Sequence, residues 1–579
     1  MSAVRRLALI ESLEPRTLLS GAFPNVNVSR MSGNQAEGAI AVDRADPKRL
    51  FAVSNVDVGD GLMVATSSDG GATWAHRTIA NDSDGLPPAC CDPSASFDAY
   101  GNLFLAYLNA KGNQVEVLLS TDAGQSFALI AQYNGNVDQP TVTTGPGSVW
   151  LTFDRSGGVA ATGAADTSLG SVGQFGPART VRGSGGGSFG DIAIGPAGQV
   201  MVTYEKDGGS SRSRLYVNAD PAGLAGTFGK PLLVSTTAVG DFDHIPAQPT
   251  RGIDAEVGLA FDRSGGPFTG RVYAVYTDEI PTGSGNTDIF LRYSDNQGVT
   301  WSNPIRVNDD TSANSQFLPR VALDNTTGKV AVSWYDSRND LGTGGAGDVD
   351  GVPNNDAQFF ATVVTPQIDG LKVASNQQVS AGASTAADAN STIDLGDYTG
   401  LDFYNGILHP FWFDNSNSTG DNPNGVHKGL NAYTANVSAS AFSDPPAVSL
   451  GGLTEPSGPV PALWLHDTFN NGVLRGGRAY TITVAYADGA GLSPSTFSDG
   501  NLLITGPKSF SASAQFVRAH PRGRGGTLWL ATYRVVNPAG AWSASNNGTY
   551  TITLQGGQVA DPAGHAAPAG NLGTFMVDV

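Results

Sequence analysis

One eight-residue stretch decides the fold: Ser67-Ser68-Asp69-Gly70-Gly71-Ala72-Thr73-Trp74. Its spacing of Ser, acid, Gly, hydroxyl and aromatic residue returns in Ser120-Thr121-Asp122-Ala123-Gly124-Gln125-Ser126-Phe127 and in Ser294-Asp295-Asn296-Gln297-Gly298-Val299-Thr300-Trp301. The pattern predicts a hairpin corner. We expect the Asp or Asn side chain to accept hydrogen bonds from backbone N–H groups two residues on, Gly to supply the positive φ, and the aromatic ring to turn back under the sheet.

The stretches around these corners repeat as well. Each unit opens on a short alternating strand, and the predicted openings are Glu37 to Asp43, Asp92 to Asp98, Gln139 to Gly145, Phe189 to Gly195, Glu256 to Asp262, Leu318 to Asp324 and Asp397 to about Phe403. An aromatic-rich second strand follows each opening. Self-similar units at a period of roughly 50 to 80 residues favour radial blades over one sandwich.

The three corners resemble the Asp-box of the BNR/sialidase-like β-propellers, where the box joins the third and fourth strands of a blade. The resemblance implies an all-β propeller, and it implies that the box residues are structural. Related sialidases have six blades, whereas the openings predict seven here; one misassigned degenerate unit would restore six. Because a ring must hide its first and last edges, we expect Asn25 to Ser29 to pair onto the last blade.

The ends of the chain differ from the repeats. Residues 1–21 contain Leu13-Glu14-Pro15-Arg16 followed by Leu18-Leu19-Ser20, which resembles the LEPR-XLL leader of large bacterial surface and secreted proteins. The propeller is predicted over residues 22–442, and a proline-rich linker over 443–461. Residues 462–579 carry short alternating strands and resemble the accessory Ig-like β-sandwich modules of bacterial surface proteins.

Charge and hydrophobicity exclude several partners. The 579 residues include 33 Lys and Arg against 52 Asp and Glu, for a net charge of −19. Such a field repels nucleic acid and anionic lipid. The sequence contains no apolar run of about 20 residues that would span a bilayer. The LEPR-XLL resemblance of residues 1–21 implies export to the cell surface or medium, and an extracellular glycan or protein is the expected ligand.

In a propeller, the starts of the innermost strands gather at one mouth of the central channel. The alignment places five polar residues there, with Phe189 and Leu318 at the other two positions: Glu37, Asp92, Gln139, Glu256 and Asp397. Crowded carboxylates raise one another's pKa unless cations or backbone N–H groups relieve them. The alternative is that each acid caps a turn within its own blade.

The sialidase resemblance assigns catalytic roles to five residues. It implies Tyr398 as nucleophile, Glu256 as its partner, Asp92 as acid/base, and Arg251 and Arg320 as clamps for a substrate carboxylate. Glu37, however, stands in the first blade where those enzymes carry an Arg motif, and it would repel an anionic sugar. Two functions therefore stay open: a glycan- or protein-binding module, and a glycoside hydrolase of exo-α-sialidase-like type.

Two further features concern oxidation and metal binding. Cys90 and Cys91 are the only cysteines, and they form either a strained vicinal disulfide or a pair of free thiols. Asp348, Asp350 and Asp356 lie in one loop rich in oxygen ligands, which suits calcium, although the bidentate Glu of an EF-hand is absent. The alternatives are a solvated acidic loop there and a cation held at the channel mouth instead.

Overall fold

The structure is a computed structural model. It describes residues 23–57, 61–207, 212–240, 242–279, 282–345, 347–368, 370–389 and 391–442, and in the C-terminal part 460–464, 473–474, 479–487, 492–522, 528–537 and 542–577. The predicted leader at 1–21 lies outside these residues, as does the linker up to position 459. The chain divides into two compact units: residues 1–365 with 373–444, and residues 366–372 with 445–579.

The first unit is built from antiparallel sheets that follow one another along the chain. The first has strands Gly38–Val42, Leu50–Asn55, Leu62–Ser67 and Ala75–Ile79. The second has Ala89–Phe97, Leu103–Asn109, Gln114–Ser120 and Ala128–Asn134. The third has Val137–Gly145, Ser148–Arg155, Gly158–Ser168, Ser171–Val172 and Arg179–Thr180. The fourth has Ile192–Ile194, Val200–Asp207, Ser213–Asp220 and Leu232–Thr237, and is followed by a separate hairpin, Asp243–Ile245 with Gln248–Ile253.

Three more sheets complete the series. The fifth has strands Gly258–Phe261, Val272–Glu279, Thr287–Ser294 and Ile305–Arg306. The sixth includes Gln316–Asp324, Lys329–Asp336, Asp356–Gln367, Gln377–Gln378 and Ser384–Thr385; Gly370–Val373 is a further short strand. The seventh has Gly400–Tyr404, Ile407–Asp414, Asn431–Ala435, Val437–Ser438 and Asn25–Asn27. Short 3₁₀ turns are present at Gly223–Ala225, Ala387–Ala389 and Ala439–Phe442.

The N-terminal strand completes the seventh sheet. Asn25 pairs antiparallel with Ala435, and Asn27 pairs with Tyr433. The Asn25 side chain also donates to the Val379 carbonyl (2.8 Å) and accepts from the Ala381 N–H (2.6 Å), both near the outer strand of the sixth sheet. The first strand of the chain is thus paired with the last sheet of the unit, as expected if the ring leaves no edge strand unpaired.

All three predicted corners form, with one correction to their hydrogen bonds. Asp69 Oδ1 accepts from the backbone N–H of Thr73, four residues on (2.9 Å), rather than two residues on. Ser67, two residues before the acid, completes the corner. Its Oγ donates to Asp69 (2.8 Å) and accepts from the Gly71 N–H (2.9 Å). Gly71 has a φ of 87°, and Trp74 is buried beneath the corner.

The innermost strands open with an unusual backbone. Six aligned non-Gly residues have positive φ values: Glu37 (49°), Asp92 (55°), Gln139 (41°), Phe189 (57°), Glu256 (36°) and Leu318 (51°). In the seventh sheet the neighbouring Gly396 has this conformation (φ 92°). A positive φ is strained for residues with a side chain, and such strain concentrates at functional sites. At three of these openings the pairing register shifts across the positive-φ residue, so a β-bulge interrupts the strand pairing there.

Aromatic side chains fill the space between neighbouring sheets. Phe359 of the sixth sheet stacks on Trp412 of the seventh with ring centroids 5.3 Å apart, and the Tyr335 hydroxyl donates to the Phe413 carbonyl (2.8 Å). These rings are almost fully buried. Large buried rings contribute much of the apolar area that stabilises a core.

The described residues of the second unit form two sheets. One comprises Val460–Trp464, Ala479–Ala487, Leu528–Val536 and Gln515–Arg522. The other comprises Val473–Leu474, Gly570–Val577, Gly548–Leu554, Leu502–Gly506 and Phe510–Ser513. Tyr486 and Tyr533 of the first sheet share one buried cluster with Tyr550 and Phe575 of the second, so the sheets form a β-sandwich. The Ig-like assignment of this sandwich stays a prediction.

Candidate functional site

A narrow cavity of about 160 Å³ marks the axis of the first unit. Each of the seven sheets contributes a residue at or beside the start of its innermost strand: Gly38, Ser94, Thr141, Asp191, Val257, Arg320 and Thr399. Sheets that all point their first strands at one cavity are arranged radially, so the unit is a β-propeller. We keep the seven-blade count as a prediction, with one sheet for each predicted opening.

A wider cavity of about 510 Å³ is lined by Glu37, Asp92, Gln139 and Asp397, four of the five residues predicted for the mouth. We call it the mouth cavity. Seven carboxylates line it: Glu37, Asp92, Asp138, Asp154, Glu205, Asp207 and Asp397. Arg251 is the one basic residue among its described lining residues, and Phe189 and Phe242 supply aromatic surface. The fifth predicted residue, Glu256, lines the narrow cavity instead.

Polar side chains near the ends of the second strands hold the strained openings in place. Asn55 Oδ1 accepts from the Asp92 N–H (3.0 Å), and Asp154 Oδ2 accepts from the Phe189 N–H (2.9 Å). In the fourth sheet, Glu205 Oε2 accepts from the Glu256 N–H (3.3 Å). The first, third and fourth sheets therefore each supply an acceptor for the opening of the next sheet, which helps the backbone there to adopt a positive φ.

Glu37 and Asp92 form a coupled acid pair. Both are buried, and their carboxyl groups hydrogen-bond to each other. Burial, and then the charge of Asp397, raise the pKa of Glu37 to about 7. Burial, followed by the charge of Glu37, raises the pKa of Asp92 well above its ordinary value. A carboxylic acid that keeps its proton near neutral pH can act as a hydrogen-bond donor or a general acid.

Arg251 comes from the hairpin inserted between the fourth and fifth sheets. Its guanidinium makes two hydrogen bonds to Asp397, one of them from Nε to Oδ1 at 2.7 Å. It also lies 4.3 Å from the centroid of the Phe242 ring. Asp394 Oδ2 accepts from the Thr250 and Arg251 N–H groups (2.8 Å each), which fixes the backbone of the hairpin. The guanidinium of Arg251 is therefore already bound to a carboxylate of the protein.

The remaining three residues predicted to be catalytic lie at the narrow cavity. Arg320 Nε donates to the Thr399 carbonyl (2.8 Å), and its guanidinium lies 5.1 Å from the centroid of the Tyr398 ring. Burial raises the pKa of Tyr398 well above its ordinary value, and nearby carboxylates add to the effect. Burial also raises the pKa of Glu256, an increase that Arg320 partly opposes.

Cys90 and Cys91 are joined by a disulfide between adjacent residues. Cys91 lines the mouth cavity directly before Asp92. The rigid eight-membered ring formed by a vicinal bridge restricts the backbone that positions Asp92. The redox state of the pair in solution stays a prediction.

The acidic loop is only partly as predicted. Asp348 and Asp356 have carboxylate oxygens close together, but the third member of the group is Asp340, and Asp350 is not part of it. Asp350 Oδ1 instead accepts from the Val352 N–H (2.7 Å) at the exposed tip. No other group of three acidic, His or Cys ligands is as closely spaced among the residues that the structure describes.

Comparisons with known proteins give distant structural similarities. No family model matches the chain, and no curated protein matches it. A thermostable family-43 glycoside hydrolase aligns at 14% identity with a TM-score of 0.33, covering 61% of this chain and 96% of the other. A phage phi92 endosialidase aligns at 10% identity and a TM-score of 0.39, covering 75% and 71%. The SapL1 lectin in complex with α-methyl fucoside aligns at 11% identity and 0.34, covering 60% and 97%. Likeness at this level carries no conclusion about function.

Sequence reasoning missed several residues of the mouth cavity: Asp138, Asp154, Glu205 and Asp207. A signal for two of them was present, because Phe153-Asp154 and Tyr204-Glu205 repeat an aromatic residue followed by an acid at the end of a second strand. Within the described part of the chain, no helix has the length and hydrophobicity needed to cross a bilayer.

Proposed function

We propose that the mouth cavity binds a glycan that is neutral or positively charged. The observation that carries the proposal is the composition of the cavity wall: seven carboxylates and a single arginine, whose fork is taken by Asp397. The described lining residues offer an anionic ligand acidic side chains, several of them protonated near neutral pH, and no cation apart from Arg251, which is already bound to Asp397. Sugar hydroxyls, in contrast, donate hydrogen bonds to carboxylates and accept them from protonated acids.

The aromatic surface and the size of the cavity support the same proposal. Phe189 and Phe242 pack edge to face, with centroids 5.7 Å apart, at the wall of the cavity. Apolar rings beside a few convergent polar groups are the usual lining of a small-ligand site. The volume of about 510 Å³ falls within the range of such sites.

A glycoside hydrolase is the second candidate, and the Glu37 and Asp92 pair favours it. A carboxyl that keeps its proton near neutral pH can serve as the general acid of glycoside cleavage. Because the two carboxyls of a glycosidase are at least about 5 Å apart, a second carboxyl outside this hydrogen-bonded pair would have to complete such a site. The sialidase form of this candidate is less well supported. Arg251 and Arg320 are both engaged by groups of the protein, and the raised pKa of Tyr398 makes its phenolate a costly nucleophile.

A binding screen with parallel turnover assays tests the proposal. The full chain is titrated by calorimetry with neutral, amino and sialylated oligosaccharides, and then incubated with aryl glycosides of the same sugars. We expect binding of a neutral or amino sugar, and a loss of at least about tenfold in affinity for Glu37→Gln. Asp388→Asn is the matched control, because Asp388 is exposed and does not line the cavity.

Four outcomes are informative. Selective binding of sialylated sugars would contradict the proposal, since the cavity wall would then not select against anions. Equal losses of affinity in Glu37→Gln and Asp388→Asn would mean that the ligand binds outside the mouth cavity. Turnover abolished by Asp92→Asn would identify a hydrolase that uses the acid pair, and turnover abolished by Tyr398→Phe would restore the sialidase-type mechanism.

We further propose that the protein is exported and acts at the cell surface or in the medium. The LEPR-XLL-like segment at 1–21, the resemblance of the corners to BNR Asp-boxes and the predicted Ig-like spacing module support this. The hydrogen bonds of the corners at Asp69, Asp122 and Asn296 are consistent with an Asp-box assignment. The net charge of −19 fits a glycan or protein partner rather than nucleic acid.

A further inference from the structure

The loop between the second and third strands of the sixth sheet is unusually long. It connects Lys329–Asp336 to Asp356–Gln367; Asp340 and Asp348 lie within it, and Asp356 is the first residue of the strand that follows. Second strands run toward the face where the innermost strands begin, because neighbouring strands are antiparallel. The loop therefore lies on the same face of the sixth sheet as the strand openings that form the channel mouth.

The three carboxylates are spaced to share one ion. Each offers an oxygen, and these oxygens all lie within 4.8 Å of one another. Calcium binds oxygen ligands at about 2.3 to 2.6 Å, so two ligands on opposite sides of one ion are about 5 Å apart. The spacing therefore allows all three carboxylates to contact the same calcium ion.

One oxygen of the cluster is buried without a partner. Asp356 is 1% exposed, and its Oδ1 accepts no hydrogen bond of normal geometry, although the Thr385 side chain lies close to the carboxyl. Its other oxygen, Oδ2, accepts from the Val349 N–H at 2.5 Å, which holds the carboxylate against the loop. A buried carboxylate oxygen without a donor is costly. A cation beside Asp340 and Asp348 would remove that cost.

Backbone N–H groups orient the other two carboxylates. Asp340 Oδ2 accepts from the Asn355 and Asp356 N–H groups at 2.8 and 2.9 Å. Asp348 accepts from Gly351 at 2.7 Å through Oδ1 and from Gly344 through Oδ2. Such bonds fix metal ligands in place and leave further lone pairs available. Within the described residues, no ion pair joins any of the three acids to Lys, Arg or His.

We propose that Asp340, Asp348 and Asp356 bind one calcium ion. The ligand set contains only oxygen, without His or Cys, which selects a hard cation over zinc or copper. Calcium is favoured over magnesium because an irregular loop does not supply the strict octahedron that magnesium requires. The bound ion ties Asp340, just after the second strand, to Asp356 at the start of the third. It thereby stabilises the folded loop at the rim of the mouth.

Calorimetry on the full chain tests the site. The protein is treated with EDTA, dialysed, and titrated with calcium chloride or magnesium chloride at constant ionic strength. We expect one calcium per chain, with a dissociation constant on the order of 10⁻⁴ to 10⁻³ M, and weaker magnesium binding. Thermal unfolding with 5 mM calcium should occur at least about 2 °C higher than with sodium of matched ionic strength.

Two variants in the same loop separate the proposal from a general charge effect. Asp348→Asn keeps an oxygen for one of its N–H partners but removes a charged ligand, and should weaken calcium binding at least about tenfold. Asp350→Asn removes the same charge outside the cluster and should bind as the native protein does. Near-ultraviolet circular dichroism checks that both variants are folded.

The remaining outcomes overturn the proposal. Equal melting curves in calcium and sodium would show that the cluster holds no calcium. Equal weakening of calcium binding in Asp348→Asn and Asp350→Asn would mean that calcium is attracted only by the net charge of the loop. If Asp348→Asn does not fold, Asp356→Asn takes its place, and calcium binding that survives this change would also refute the site.

Discussion

The Arg251 guanidinium donates two hydrogen bonds to the Asp397 carboxylate at the mouth of the propeller channel. The two residues are 146 positions apart and belong to an inserted hairpin and to the opening of the seventh sheet. Asp397 is buried, so its charge relies on Arg251 for compensation.

Replacing Arg251 by Gln should destabilise the propeller and raise the pKa of Glu37 in the acid pair. Because Arg251 is about one third exposed, we expect a loss of about 1 to 3 kcal/mol in the free energy of unfolding, less than for a fully buried pair. The charge of Arg251 also lowers the pKa of Glu37, so that pKa should rise further in the variant. Urea unfolding and carboxyl infrared titration measure the two effects. An unchanged Glu37 titration would contradict the assumed proximity.

Stability should fall as pH rises from about 5 to 8. Burial raises the pKa of Glu37 and Asp154 to about 7 and that of Glu205 to about 8. Between the ordinary values near 4 and these raised values, the folded state holds protons that the unfolded state has released. Each such proton makes unfolding easier by up to about 1.4 kcal/mol per pH unit.

Glu205→Gln gives the control for this pH dependence. The neutral amide has no charge to bury, so the drop in melting temperature between pH 5 and pH 8 should be smaller than in the native protein. Asp388→Asn, at an exposed site, should keep the full drop. A native melting temperature that increases over this range would show that the buried acids are ionised in the folded state.

The Asp-box-like corners should depend on an acceptor rather than on a charge. Asp122 accepts from Ser120 Oγ (2.7 Å) and from the Ser126 N–H (2.9 Å), and Asn296 makes the matching bonds in the third corner. Asp122→Ala should cost about 1 to 3 kcal/mol of unfolding free energy, and Asp122→Asn less than about 1 kcal/mol. Denaturant unfolding of both variants measures the difference, and equal losses would contradict the acceptor role.

The adjacent cysteines should be oxidised in protein purified without reductant. The unreduced peptide containing Cys90 and Cys91 should then be about 2 Da lighter than its reduced form, and alkylation under denaturing conditions should fail until reductant is added. Mass spectrometry of both samples measures this. Equal masses would establish free thiols beside Asp92.

The repeat architecture was accessible from the sequence because it depends on local chemistry. Each corner uses contacts within eight residues, and strand alternation reports which side of a sheet is buried. The openings at Glu37, Asp92, Gln139 and Asp397 could be aligned for the same reason, and the ring topology places them together at the mouth. The pairing of Asn25–Asn27 with the last sheet followed from the need to hide an edge.

Only the tertiary structure decided which side chains meet across long separations. Asp154 and Glu205 each follow an aromatic residue at the end of a second strand, but this repeated pair does not reveal that the two acids face the mouth cavity. Arg251 reaches Asp397 because an insertion folds over the channel, and Asp340 joins Asp348 and Asp356 because a long loop closes on itself. Backbone corners are encoded by neighbouring residues, whereas the site depends on how separate sheets pack, and that packing fixes its charges and pKa values.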